Sequence, residues 1–458
     1  MILLVDFNNL IDFFKDSDVA QNMLERGQLV FNDFLKPIKI LFEQKNLPQT
    51  PWSDEQIEFL LKMLSNMDTD KDEKASRVGE REARIASKLQ LKTSGGFCHG
   101  IGRSGFLTAP QPKAPGASLI YELTNKLALN FLKKFGLPNI KSAIIVPLCT
   151  GMTLSLCIGA LRPDWNDKKF LHKRKVIVPQ IDHKSLIKGL DLMGIERKTV
   201  TGKVFGDAVR IPIEDIKNAL DDDCFAVIST TSFFPPREYD DIKEISKFAK
   251  ENNLVHIVIN AYGVQSSDWM KLIRVGIDAG RIDVIIQSTD KNALTPIGGA
   301  IIASPIEEII TKISQAYAGR ASATPIINFL ISMLSLGIEG YEKLLANQNQ
   351  NRSLLEDKLK IVAKKYNERI LDVFNPVAVA VSLKNLKSEQ LFAFGGALYN
   401  LRVTGPRVYN PKEDFFGTCT SDYTTPYIVM NAAIGASKED IMLSVERFEK
   451  ALIQITQK

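Results

Sequence analysis

The chain begins with helical spacing. From Asn22 to Gln44 the apolar positions Met23, Leu24, Leu29, Val30, Phe34, Leu35, Ile38, Leu41 and Phe42 recur at roughly three- and four-residue steps, which predicts an amphipathic helix. Pro37 is expected to kink or split it, or to sit in the first turn of a second helix. Lys36, Lys39 and Lys45 fall on its polar side. Ser53-x-x-Gln56 reads as a capping box opening another helix, with Ile57, Leu60, Leu61 and Leu64 as its apolar stripe. The mixed-sign charged run from Asp68 to Arg84 is expected at the surface. Thr93 to Gly116 then abandons periodicity for glycines and prolines, so it reads as a long loop, and it holds Arg103, Gln111 and Lys113. Loops of that length are uncommon in compact domains unless they bind something. A helix over Ser118–Phe135 follows, with Gly136 placed to stop it.

The texture changes again beyond residue 140. Short Val/Ile-rich runs at Ser142–Leu148, Lys175–Val178, Phe225–Ser229, Leu254–Ile259, Asp283–Gln287 and Ala300–Ala303 alternate with helix-length patterns such as Ile242–Glu251. Continuous apolar strands between helices predict a mostly parallel sheet covered on both faces. A helix over Ile326–Leu336 leads into a C-terminal unit with strands near Val377–Leu383 and Tyr427–Met430. The chain closes with a helix capped by Ser437-x-x-Asp440. The organisation expected is a helical N-terminal extension with its Gly-rich loop over 1–115, an α/β domain over 116–318, and a small α+β domain over 319–458.

Composition narrows the class without naming a function. Hydrophobic residues make up 45% and charged residues 24%, as in ordinary folded proteins. No apolar run reaches the about 18–20 residues a membrane helix needs, and Met1–Val5 meets Asp6 too soon for a signal peptide. Cys98, Cys149, Cys157, Cys224 and Cys419 are scattered, with no Cys-x-x-Cys pair, and the four histidines form no metal-binding spacing. The expectation is a cytoplasmic, reduced, metal-free protein. The net charge of +5 permits a nucleic-acid partner without demanding one.

Three strand ends carry candidate chemistry. In Val146-Pro-Leu-Cys-Thr-Gly-Met-Thr153 a strand passes through a glycine turn into a helix, where unpaired N–H groups and the helix dipole suit an anion such as phosphate. Gly151, Met152 and Thr153 are the candidate phosphate holders. In Ile257-Val-Ile-Asn-Ala-Tyr-Gly263, Asn260 occupies the place where pyridoxal-phosphate (PLP) enzymes of the aspartate-aminotransferase-like fold put the partner of the pyridine nitrogen. Val284-Ile-Ile-Gln-Ser-Thr-Asp-Lys-Asn292, trailed by Pro296-Ile-Gly-Gly-Ala300, resembles the context of their Schiff-base lysine, here Lys291, with Ser288 just before it. The order along the chain is phosphate turn, pyridine partner, lysine. His183 follows another strand and is either a ring-stacking partner or a structural histidine.

Longer motifs are more specific. Arg77-Val-Gly-Glu-Arg-Glu-Ala-Arg84, Gly95-Gly-Phe-Cys-His-Gly-Ile-Gly-Arg-Ser-Gly105, Pro110-Gln-Pro-Lys113, Asn260-Ala-Tyr-Gly-Val-Gln265, Ser288-Thr-Asp-Lys-Asn292, Gly319-Arg-Ala-Ser322 and Leu401-Arg-Val-Thr-Gly-Pro-Arg407 closely resemble the O-phosphoseryl-tRNA:selenocysteinyl-tRNA synthase family, archaeal branch. The resemblance runs from about Leu24 to the C-terminus. It implies conversion of O-phosphoseryl-tRNA(Sec) to selenocysteinyl-tRNA(Sec): β-elimination of phosphate, then addition of selenium from selenophosphate, with Lys291 moving the α-proton. It further implies that Arg103, Ser104, Gln111, Lys113 and Arg320 bind the substrate's phosphate, and that Arg81 stands beside the cofactor phosphate or the incoming anion. Lys36, Lys39 and Lys45 would track tRNA phosphates and Arg407 would sit near the discriminator base. The implied assembly is a homotetramer, a dimer of dimers, with active sites between protomers.

Three other readings stay open on the residues alone. A tRNA-dependent cysteine synthase calls for a reactive cysteine on a mobile loop, a role only Cys98 approaches. A decarboxylase or phosphate-ester lyase on a free small molecule leaves the N-terminal extension unexplained. A non-catalytic tRNA-binding protein requires Lys291 to hold no cofactor.

Overall fold

The computed structural model of the chain describes residues 11, 14, 16–163, 173–412 and 417–457; the opening Met1–Val5 lies outside them. The first helix, α1 (Gln21–Gln44), runs through Pro37 without splitting, with Leu35, Ile38 and Leu41 buried. Helix α2 (Asp54–Ser65) starts at the expected capping box, in which Ser53 and Gln56 serve each other's backbone N–H. Then come α3 (Lys88–Thr93), the Gly-rich loop, and α4 (Pro115–Lys134).

The charged run before the loop is not all surface: Asp68 is buried. Its Oδ1 accepts the Ala117 N–H at 3.1 Å, which satisfies one of the orphan donors at the start of α4. That helix start is pressed on the end of α2, since a Cβ at Gly116 would stand 1.8 Å from the Leu64 carbonyl oxygen. Gly116→Ala is therefore expected to cost about 1–3 kcal/mol of stability, read as a lower denaturation midpoint. An unchanged midpoint would mean that α2 and α4 part freely.

The α/β section contains β1 (Ser142–Val146), α5 (Thr150–Leu161), β2 (Lys175–Pro179), α6 (Lys184–Leu192), β3 (Glu196–Val200), the hairpin β4 (Lys203–Phe205) and β5 (Ala208–Arg210), α7 (Ile213–Asn218) and β6 (Cys224–Thr230). It continues through α8 (Ile242–Glu251), β7 (Val255–Ile259), α9 (Ser267–Ala279), β8 (Val284–Ser288), the short α10 (Thr289–Asn292), β9 (Ala300–Ser304) and α11 (Glu307–Ala316). Seven strands form one sheet in the order β1-β9-β8-β7-β6-β2-β3. All neighbours pair in parallel except β9, which is antiparallel to both β1 and β8. The six Val/Ile-rich runs all became strands. The edge strand β3 and the hairpin escaped notice because Glu196-Arg-Lys-Thr-Val200 and its neighbours carry little apolar patterning.

Helix α12 (Thr324–Lys365) extends far beyond the expected Leu336. It breaks at Gly337, φ 58°, and residues 48–52 use the break: Trp52 N–H donates to the Leu334 carbonyl, while the Ile338 and Glu339 N–H groups donate to Pro48 and Gln49. A Cβ at Gly337 would meet the Thr50 backbone at 2.7 Å. The C-terminal unit adds β10 (Ala378–Ser382), α13 (Ser388–Asn400), β11 (Arg407–Tyr409), β12 (Tyr427–Asn431) and α14 (Lys438–Thr456), with an antiparallel sheet ordered β10-β12-β11. Leu355, Leu359, Phe394 and Phe448 centre its own core. Leu35, Leu60, Ile301 and Phe329 share the larger core, so α1 and α2 pack into the same mass of side chains as the big sheet. Among the described residues no helix is long and apolar enough to cross a membrane.

Candidate active site

The C-terminal ends of parallel strands are where open α/β sheets bind ligands, and here a cleft opens at that edge. Thr150 and Gly151 line it from the start of α5, His183 and Ser185 from the start of α6, Thr230, Ser232, Phe233 and Phe234 from the end of β6 onward, and Ala261, Tyr262 and Lys291 from beyond β7 and β8. Two of the strands that lead into it, β6 and β8, are buried throughout, which gives the lining a rigid base.

Lys291 is exposed on α10, its Nζ 6.0 Å from the Tyr262 ring centroid. Its backbone is firmly mounted. Gln265 Nε2 donates to the Lys291 carbonyl at 2.8 Å, Asn292 donates to the Ala261 and Ser288 carbonyls, and Tyr341 donates to the Asn292 carbonyl at 2.8 Å. Across the cleft, α5 begins without a side-chain cap at Cys149, so its first-turn N–H groups are left for a ligand or solvent. Thr153 N–H already bonds the Cys149 carbonyl, and the buried Thr153 hydroxyl donates to the same atom at 3.0 Å. Met152 is exposed. Of the Gly151–Thr153 stretch, the cleft therefore meets Gly151, together with Thr150 before it.

His183 caps α6. Its Nδ1 accepts the Ser185 N–H at 3.3 Å and meets the Ser185 hydroxyl at 2.5 Å, which assigns the proton of the neutral ring to Nε2. Burial first, then the positive charges of Lys291 and Arg407, hold this imidazole below the usual histidine range. Arg407 stands with its guanidinium carbon 4.1 Å from the Phe234 ring centroid, so it borders the cleft wall. The Tyr262 hydroxyl donates to the Phe233 carbonyl at 2.6 Å, and burial raises its pKa.

Asn260 lies one residue behind the wall, fully buried. Its Oδ1 accepts from the Thr231 hydroxyl and its Nδ2 faces Met270 Sδ at 3.4 Å. Ser288 is buried too and donates to Asp290. It does not line the cleft.

The remaining candidates gather elsewhere on the chain. Arg103 and Ser104 are exposed at the tip of the Gly-rich loop, where Arg103 and Phe106 exchange backbone hydrogen bonds. The loop is tied down at Ile101, whose N–H donates to Ala321, and at Leu107, whose N–H donates to Ser314. Gly102 is required there: at φ +66° a Cβ would stand 2.0 Å from the Leu107 carbonyl oxygen. Gln111 N–H donates to Ser118 Oγ, Lys113 pairs with Glu82, and Arg320 donates to the His99 carbonyl. Arg81 is exposed, and burial followed by the charge of Arg81 lowers the pKa of Arg320. Among the described residues, none from this group lines the Lys291 cleft of the same chain. Lys36 and Lys39 are exposed on α1, whereas Lys45 ends that helix and binds Glu122 at 2.7 Å.

Sequence reasoning missed Ser185, Ser232, Phe233 and Phe234. The last two precede Pro235-Pro236 directly after a parallel strand, and that position alone marked them as candidates.

A mostly parallel sheet with one antiparallel strand, and a lysine beyond β8 facing a helix start, defines the aspartate-aminotransferase-like fold. A solved structure of SPT with PLP has this fold, with TM-score 0.56 and 15% identity over 82% of this chain and 85% of that one. The particular family follows from closer relatives. The model of the O-phosphoseryl-tRNA(Sec) selenium transferase family, SepSecS, matches residues 67–453, and the chain belongs to that family. It is 44% identical to the O-phosphoseryl-tRNA(Sec) selenium transferase of Methanococcus maripaludis, over 97% of this chain and 100% of the relative. The crystal structure of an archaeal member superposes with TM-score 0.89 and 44% identity, covering 95% of this chain and 98% of that one.

Proposed function

We propose that this chain converts O-phosphoseryl-tRNA(Sec) to selenocysteinyl-tRNA(Sec), with selenophosphate as selenium donor and PLP held at Lys291. The observation that carries the reading is that Lys291, its backbone firmly mounted, and the uncapped start of α5 line one aromatic-walled cleft. The residues fit the group. The first-turn N–H groups at Thr150 and Gly151 suit its phosphate, the neutral His183 ring suits its flat face, and Asn260 lies behind the wall where a ring nitrogen would need a partner. When bound, PLP supplies an electron sink for the charge left at the substrate's α-carbon.

The chain's own groups do the rest. Lys291 Nζ takes the α-proton and later returns one. Arg103, Ser104, Gln111 and Arg320 hold the phosphoserine phosphate, since forked guanidinium donors suit a doubly charged anion. Lys113 acts there through its pair with Glu82, and Arg81 beside them. Because the loop lies outside the Lys291 cleft of its own chain, the loop of one protomer serves the cleft of its partner, in a tetramer built from two dimers. Lys36 and Lys39 on α1 meet tRNA phosphates, Lys45 contributing less while Glu122 holds it, and Arg407 meets the acceptor end where it enters the cleft. Localisation is cytoplasmic in this reading.

The test is turnover on O-phosphoseryl-tRNA with selenophosphate, against sulfide as donor and against free phosphoserine as substrate. Selenocysteinyl-tRNA formed only from the first combination is expected; equal rates on free phosphoserine would overturn the tRNA requirement. The cysteine-synthase reading gains nothing from Cys98, whose thiol burial pushes up, away from reactive thiolate character.

Asn260 sets a further expectation. A neutral amide cannot keep the pyridine nitrogen protonated as a carboxylate does, which restrains transamination while leaving elimination of a good leaving group open. Asn260→Asp should raise the share of transaminated by-product per turnover. A by-product ratio identical to that of the parent would sink the idea.

A further inference from the structure

Beneath the Gly-rich loop lies a buried polar cluster that the reading above leaves unused. The His99 side chain is 1% exposed and the Asp70 side chain 5%. Among the described residues neither ring nitrogen of His99 has a hydrogen-bond partner, and Asp70 Oδ1 has none either. His99 Nε2 stands 3.7 Å from that oxygen, just beyond hydrogen-bond reach. Leaving buried polar groups unpaired costs their full desolvation, and native structures keep few, so such a cluster has a reason.

The connections of the pair point to one. Asp70 Oδ2 accepts from Lys71 Nζ at 2.8 Å, and Lys71 also donates to the Gly96 carbonyl at the entry of the loop. The His99 carbonyl accepts from Arg320 Nη2. Two residues on, Ile101 is zipped to Ala321. Segment 70–71, the loop, and the Gly319–Ser322 segment thus meet at this pair. Arg320 Nε is itself buried with no partner among the described residues, and Arg320 faces the charge of Arg81, a repulsion that a bound dianion relieves.

We infer that Asp70 and His99 form a positioning pair for phosphoserine recognition, whose near-contact closes to a hydrogen bond as the phosphate settles on Arg320. The closed contact fixes the His99 carbonyl that aims the Arg320 guanidinium. The inference rests on the reading of Arg103 and Arg320 as phosphate ligands. Neither Asp70 nor His99 touches substrate; both act through Arg320 and the loop backbone. Because the pair only aims Arg320 in the bound state, while Arg103 still grips the phosphate as it leaves, their loss appears in KM more than in kcat.

The test uses the full-length holoenzyme with steady-state kinetics on O-phosphoseryl-tRNA and competition by inorganic phosphate. His99→Ala and Asp70→Asn are each expected to raise KM and the phosphate inhibition constant about tenfold, the worth of one charge-assisted hydrogen bond, with kcat within about twofold. His99→Gln, whose amide can still bond Asp70, should recover most of the loss. The double variant should be no worse than either single one, because the two act as a unit. Should His99→Ala fail to fold, Asp70→Asn keeps the side-chain volume and carries the test. Unchanged KM and phosphate inhibition in both variants, beside an impaired Arg320→Ala control, would overturn the inference and leave the phosphate reading standing. An Arg320→Ala control with unaltered phosphate inhibition removes that reading, and the inference with it.

Discussion

Lys291→Ala is expected to reduce turnover by at least about a thousandfold, because in the function proposed above the same amine anchors the cofactor and moves the α-proton. Few substitutions in this chain remove so much chemistry for so little structure. The Lys291 side chain is exposed, and the hydrogen bonds that mount it run through its carbonyl and through Asn292, which the substitution leaves in place. Folding should therefore survive. In the parent protein, a long-wavelength absorption band should vanish on borohydride reduction, and the pyridoxyl label should map to Lys291. Label on another lysine, or no chromophore after PLP is supplied, would move a non-catalytic tRNA-binding role to the front.

Arg103→Ala should also abolish measurable turnover, by about a hundredfold or more, for a different reason. In the proposed function it removes a forked, charge-assisted grip on a phosphate dianion, which a methyl group cannot replace. Arg103 is exposed at the loop tip, and its structural role is confined to backbone bonds with Phe106, so stability should hardly change. PLP should remain bound, since Lys291, Thr150, Gly151 and His183, the residues assigned to it in this reading, are untouched by the substitution. Turnover equal to the parent's would place phosphoserine elsewhere. Mixing Arg103→Ala with Lys291→Ala protomers offers a sharper reading: shared sites between protomers should return part of the activity that each variant lacks alone.

Much of the α/β section was legible because burial on both faces of a parallel sheet leaves no other sequence pattern than runs such as Ala143-Ile-Ile-Val146 and Val284-Ile-Ile286. Capping boxes at Ser53 and Ser437 were legible for a similarly local reason: the side chain and the N–H groups it serves lie three residues apart. Gly337 was not, because a break inside a helix looks like a stop until residues 48–52 arrive to fill it. Nor was Asp68, which stands in a charged run yet is buried because a distant helix start needs an acceptor.

At the site the division is similar. The sequence by itself determined the family, the order of the Gly151 turn, Asn260 and Lys291 at successive strand ends, and the glycine pattern of the loop, since each depends on residues adjacent in the chain. Only the tertiary structure decided that the Thr153 hydroxyl turns back into its own helix, that Ser288 answers to Asp290, and that Arg407 comes to rest over Phe234. It also decided that the loop and the Lys291 cleft stand apart within one chain, and that Asp70 and His99 meet underneath the loop. Those are contacts between segments tens to hundreds of residues apart, set by how helices and strands pack, and no local pattern of residue types encodes them.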